Sequence, residues 1–317
     1  MSLSCTKTSP SCLIDLFLQC YRIVIYMLWV PFTIFAAFMQ SWRNAFQKHL
    51  SQDVSSAGVT LARFIYASPL AIVYLVLLYY FGEADAPQFS QLYWLYILLA
   101  SVAQIAATLL MVMLFRLRNY AMGVGLAKSE AVIAAILGAL FFSAFLTPLA
   151  WMGVLIGSVA IWLMANPSSL KAVSLPTLLT GLASGLCFAL TTLWVREASL
   201  LLGLPFLHSA AWVLLCVISL QTLILLVWIA AKEPITLKAI WAKPKLTLAI
   251  SVCSFFGSLG WFTAMSLETV AMVKTLGQIE ILFTLMISAR WFRESLSRRD
   301  LIGLFLIVLG AICVIMA

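Results

Sequence analysis

Apolar runs of about twenty residues follow one another from residue 28 to the end of the chain, separated by short connections. An α-helix rises 1.5 Å per residue, so about twenty apolar residues match the ~30 Å hydrocarbon core of a bilayer. Ten such runs stand at about 28–48, 57–81, 92–115, 121–143, 149–166, 176–196, 205–230, 247–266, 271–291 and 300–317. Continuous runs favour helices over a barrel, whose strands alternate in polarity over about ten residues. The chain is 64% hydrophobic and 9% charged, against about 25% charged in a soluble domain. It cannot cover a soluble surface. The expected class is an all-α polytopic membrane protein of ten transmembrane helices.

Residues 1–26 fit neither a span nor a signal-peptide core, because Asp15, Gln19 and Arg22 interrupt them. They are expected to be a loosely held extension, or to precede a native start at Met27. The seven cysteines have no metal-ligand spacing and read as small hydrophobes. No metal and no cofactor is expected. The net charge of +8 reads as membrane topology and contact with anionic lipid rather than nucleic-acid binding.

The basic residues are unevenly placed. Ten spans put Lys48, Arg116, Arg118, Lys171, Lys232, Lys238, Lys243, Lys245, Arg290, Arg293, Arg298 and Arg299 on one side of the membrane. The other side holds Arg196, with Lys7 and Arg22, and the acidic loop "FGEADAPQFS". The excess of Lys and Arg marks the cytoplasmic side, which places both termini outside.

Shifted by 150 residues, the sequence matches itself. "YAMGVGLAKSEAVIAAILGALFF" (120–142) meets "VAMVKTLGQIEILFTLMISARWF" (270–292), and Gly153 meets Gly303. Five spans repeat as five, and an odd number per repeat turns the second copy upside down. The expected division is an extension (1–26), a first repeat (27–167) and a second (168–317). Inverted repeats with a site at the midplane are the architecture of secondary transporters.

The run "LARFIYASPLA" (61–71), the stretch 120–157 and its copy 266–312 resemble the bacterial drug/metabolite transporter superfamily in its EamA-type, ten-helix branch. The resemblance implies a ten-helix transporter of small metabolites with cytoplasmic termini, opposite to what the loop charges give. The chain departs from the family pattern in two further places. The proline after the helix-opening glutamate is absent (Ala131, Ile281), and the turn acid of the second copy, Glu294, is Ala144 in the first.

Within the repeat, each copy carries one acid and one lysine. On a continuous helix, residues two apart point to nearly opposite faces, so Lys128 and Glu130 are expected to serve different faces. The Glu130 stripe (Gly123, Ala127, Ala134, Gly138) and its counterpart around Glu280 are rich in small residues, which let helices approach closely. Glu130 and Glu280 are therefore candidate helix-bonding acids or candidate proton carriers. Lys128 aligns with Gln278, and Lys274 lies one turn away on the same face. An intramembrane lysine faces a cavity or snorkels to a helix end. In a cavity, Lys128, Lys274 and Gln278 would favour a solute bearing a carboxylate.

Further candidate cavity residues are Gln40, Trp42 and Asn44, then Gln104 and Thr108, Trp194, and Ser258, Trp261 and Thr263. Arg63, near the start of the second span, is expected to pair with head groups or a helix terminus. Nothing marks His49 or His208 as a ligand. The Gly153/Gly157 and Gly181/Gly185 pairs read as close helix contacts.

No HExxH, GxSxG or GxxxxGK[ST] motif is present, which argues against an intramembrane enzyme and a self-contained primary pump. The expected function is secondary transport, by alternating access, of small metabolites such as amino acids across the bacterial inner membrane. Export is the expected direction, and protons are the candidate coupling ion. The alternative is efflux of lipophilic or quaternary ammonium cations. The expected partners are the solute and the bilayer.

Overall fold

The computed structural model describes residues 27–117, 127–165, 175–291 and 298–317. The expectations about residues 1–26, and about the first six residues of the fourth expected span, lie outside them. Among the described residues all regular structure is helical. In chain order the helices are α1 (Trp29–Leu50), α2 (Ser56–Phe64), α3 (Ala67–Phe81), α4 (Gln91–Leu117), α5 (Glu130–Phe141), α6 (Pro148–Ala165) and α7 (Leu175–Leu201). They continue with α8 (Phe206–Lys232), α9 (Pro234–Trp241), α10 (Pro244–Leu267), α11 (Val270–Leu276), α12 (Glu280–Trp291) and α13 (Arg298–Ile315).

Among the described residues, six stretches are long and apolar enough to cross a membrane: Ser56–Phe81, Gln91–Phe115, Leu175–Leu201, Phe206–Lys232, Pro244–Leu267 and Val270–Trp291. Glu130–Phe141, Pro148–Leu163 and Leu301–Ile315 are shorter apolar helices. Large apolar side chains such as Val76, Leu140 and Phe305 point outward, while Arg43, Arg63, Lys128, Glu130, Lys274 and Glu280 are buried. A polar interior inside an apolar exterior suits a protein whose solvent is lipid. The chain is an all-α, multi-pass membrane protein.

Three expected spans are interrupted within their apolar runs, the fourth at the Lys128–Ser129 turn and the other two as follows. The second breaks at residues 65–66, where Pro69 has no N–H to give to residue 65 and its ring crowds that carbonyl. Ser251 of α10 fills the gap: its hydroxyl donates to the Ala62 carbonyl at 2.7 Å and accepts from the Tyr66 N–H at 3.3 Å. The ninth expected span is interrupted by a single tight turn, Gly277–Ile279, between α11 and α12. The connection 231–245, expected as loop, contains the short helix α9. Gly58 of α2 lies against Thr236 and Ile240 of that helix.

The helices pack chiefly as α4 on α7, α1 on α10, and α6 on α13. The last pair touches backbone to backbone: a Cβ on Gly153 would stand 2.8 Å from the Gly310 carbonyl oxygen. At one end of the bundle Asp53 forms an ion pair with Lys243, and the Ser55 and Thr236 hydroxyls meet at 3.2 Å. The lysine holds the Asp53 carboxyl below its usual range. At the other end the Trp212 indole donates to the Tyr79 hydroxyl at 3.1 Å. Phe89 packs on the same Trp212 ring, centroids 5.5 Å apart.

Candidate functional site

Two helix starts meet at the centre of the bundle, and each start is an acid. Glu130 opens α5 and Glu280 opens α12, where the unpaired N–H groups and dipole of a helix N-terminus favour a carboxylate. Before Glu130 the chain makes a turn at Lys128–Ser129. Before Glu280 it makes the Gly277–Ile279 turn.

The expectation that Lys128 and Glu130 face apart is corrected here. It assumed one continuous helix, but the ladder starts only at Glu130; the Ala131 N–H reaches back just three residues, to the Lys128 carbonyl at 3.3 Å. Across a turn the 100° step per residue does not hold, and both side chains line one cavity. Gly185 of α7 permits the turn to pack, since a Cβ there would collide with the Ser129 hydroxyl and stand 3.1 Å from the Glu130 N.

Inside the cavity the charges pair crosswise. Lys128 forms an ion pair with Glu280, and Lys274 pairs with Glu130 at 2.8 Å. All four residues are at most 8% exposed. The Glu280 carboxylate also accepts from Gln40 Nε2 at 2.6 Å and Asn44 Nδ2 at 2.8 Å, both from α1. The same Gln40 accepts from the Trp261 indole N–H at 2.9 Å. The ammonium of Lys274 sits 4.2 Å above the Trp261 ring, a cation–π distance. The ring in turn lies on Gly277, where a Cβ would collide with it.

Of the residues singled out in the sequence, Lys128, Glu130, Lys274, Glu280, Gln40, Asn44, Trp261, Gln104 and Ser258 line this cavity. Thr108 lies just behind it, bonded to Arg63. Gln278 does not line it. The tight turn rotates Gln278 away from the lysine face and buries it against Gly157 of α6. Trp42 lies instead on a groove between α1 and α12, with Phe38, Phe283 and Trp291. Trp194 packs against the apolar core, and Thr263 is buried outside the cavity.

Arg63 corrects a second expectation. It meets neither head groups nor a helix terminus: it is 2% exposed and lines the cavity. Its Nε donates to Ser254 at 3.1 Å and its Nη1 to Thr108 at 2.7 Å. The break at residues 65–66 ends α2 deep in the bundle, which carries Arg63 there. The Pro69 signal for that break is visible in the sequence.

These observations meet a direct comparison: residues 175–316 match the model of the EamA-like transporter family. Over those residues the chain is similar to the EamA-like transporter family. A match to that family, within the drug/metabolite transporter superfamily, indicates a membrane transporter of small solutes. One solved crystal structure overlays 90% of this chain and 96% of its own with a TM-score of 0.66, at 14% identity. At that identity the likeness speaks for a shared fold alone. No curated protein matches the sequence.

Proposed function

We propose that the chain is a secondary transporter that exports small metabolites, such as amino acids or related organic compounds, across the bacterial inner membrane. It works by alternating access, with protons as the coupling ion. The proposal includes ten transmembrane helices in two inverted repeats, residues 27–167 and 168–317, after an extension at 1–26.

The observation that carries it is the crossed pairing of Lys128 with Glu280 and Lys274 with Glu130. Each half lends a lysine to the other half's glutamate: the repeat relates Glu130 to Glu280, and the two lysines reach them from positions one turn apart in the repeat. The packing agrees with a two-fold axis relating the halves. It exchanges the α4–α7 pair with the α10–α1 pair and maps α6–α13 onto itself, and these are the principal helix contacts.

A buried ion pair is costly to break on one side only, because the partner is left charged and unpaired. A solute carrying both a carboxylate and an ammonium can replace both partners at once. A proton on a glutamate releases its lysine in the same way. The cavity therefore favours zwitterionic or anionic solutes, and its charges are exchanged rather than exposed as the two halves rock. One observation favours the alternative: the Trp261 face already holds the Lys274 ammonium, and a quaternary ammonium solute would fit the same face.

Uptake into proteoliposomes across amino acids, organic anions and quaternary ammonium compounds, with and without a pH gradient, tests the proposal. Gradient-driven amino-acid or organic-anion uptake is expected. Indifference to every solute and to the gradient would overturn it, and uptake of quaternary ammonium compounds alone would install the alternative.

A further inference from the structure

The charges lining the cavity do not cancel. Lys128 and Lys274 are matched by Glu280 and Glu130, and Arg63 remains. Its hydrogen bonds go to the neutral hydroxyls of Ser254 and Thr108, and its Cζ lies 5.1 Å from the Phe64 ring centroid. Among the described residues no carboxylate pairs with it. A guanidinium has five N–H donors and does not lose its proton in proteins. At 2% exposure it is withdrawn from bulk solvent, and its surplus charge calls for an anion.

The geometry points to Arg63 as the carboxylate-recognition residue of the transported solute. This rests on the transport reading of the same cavity and reassigns the first anion contact. While the crossed pairs are closed, each lysine holds a carboxylate, and among the cations lining the cavity Arg63 is paired with none. The hydroxyls of α4 and α10 fix the guanidinium from its Nε and Nη1 sides. Its remaining donors are left for a planar acceptor, and a carboxylate matches such a fork better than a spherical ion does. Binding there would bring the carboxylate into the compartment of the ion pairs, where the solute's ammonium can compete for Glu130 or Glu280.

The experiment compares acids with their amides. Purified protein is melted in low-salt buffer with L-alanine, L-leucine or L-phenylalanine, with the corresponding amino-acid amides, and with sodium chloride. At least one acid is expected to raise the melting temperature where its amide does not. Arg63→Gln should abolish that difference, and Arg63→Lys should keep part of it, because the charge remains but the fork is lost. In proteoliposomes, Arg63→Gln should raise KM for the acids by about tenfold or more, the worth of one charged hydrogen bond.

No stabilisation of the wild type by any acid overturns the proposal, as does an acid–amide difference that survives in Arg63→Gln. Stabilisation by chloride equal to that by the acids, and lost in Arg63→Gln, assigns the site to an inorganic ion instead of the solute. If Arg63→Gln fails to fold, Thr108→Val with Ser254→Ala, which frees the guanidinium from its supports, must weaken the acid effect for the proposal to stand. A wild type that transports none of the solutes sinks the transport reading, while the melting comparison still decides the role of Arg63.

Discussion

Glu280 answers three donors at once, Lys128, Gln40 and Asn44, and this sets an order among the cavity substitutions. Glu280→Gln takes the charge from all three, whereas Glu130→Gln takes it from the Lys274 pair. Breaking one side of a buried ion pair costs about 3–5 kcal/mol. Both variants should melt below the wild type, with Glu280→Gln the lower. Lys128→Met should cost a similar amount alone and much less on top of Glu280→Gln. A double-mutant cycle on denaturation midpoints checks this, and simple additivity would show that the pair is not coupled. Gly277→Ala probes the same site without touching a charge. Its methyl would collide with the Trp261 ring, and overpacking of this kind costs about 1–3 kcal/mol. The displaced ring would leave Lys274 and Gln40, so transport should fall further than stability, as a flux assay beside a melt would reveal. The residue types of this site were legible in the sequence, since an acid and a lysine in each of two apolar repeats have few other uses. Their pairing was not. A two-residue spacing means opposite faces on a helix but nothing across a turn, and the Lys128–Ser129 turn lies inside an unbroken apolar run. Arg63 differs, because its signal is in the sequence: Pro69 marks the break at residues 65–66, and only the partners Ser254 and Thr108 come from distant sequence.

At the scale of the element, six of the expected apolar runs contain stretches long enough to cross a membrane, because hydrophobic length is set by the bilayer and every backbone group must be bonded within it. Breaks were less legible: the freed backbone groups are satisfied by side chains from distant sequence. Ser251 is the clearest case, bridging Ala62 and Tyr66 from α10. Ser251→Ala should leave a buried carbonyl and N–H unserved and cost about 1–3 kcal/mol. The loss should appear as a lower melting temperature together with weaker acid recognition, since the end of α2 carries Arg63. A fall in stability with recognition intact would separate the break from the site. The α6–α13 contact behaves differently. Gly153 and Gly310 meet through backbone, so a larger residue forces the helices apart instead of leaving a bond unmade. Gly310→Leu is expected to lower the melting temperature strongly, and Gly153→Ala less so.

The whole molecule has two distinguishable ends, and which of them faces the cytoplasm decides the direction in which the cavity is loaded. The 51–55 connection and α9 share one end through Asp53–Lys243 and Ser55–Thr236. The 82–89 loop shares the other with the start of α8, through Tyr79, Phe89 and Trp212. Loop charges assign the first end to the cytoplasm, because Lys232, Lys238, Lys243 and Lys245 cluster in its longest connection. The family resemblance implies the reverse. Lys238 and Glu83 are exposed at the two ends, so each can carry a reporter without disturbing the interior. In a background with the native cysteines replaced, Glu83→Cys should react with an impermeant maleimide in intact cells. Lys238→Cys should react only after permeabilisation. The opposite pattern would place the termini in the cytoplasm and defeat the charge argument. Equal labelling of both sites in intact cells would mean a dual orientation, in which neither loop bias controls insertion. The first pattern makes the acidic 82–89 end the outer mouth of the cavity, the end through which the proposed export would release its solute.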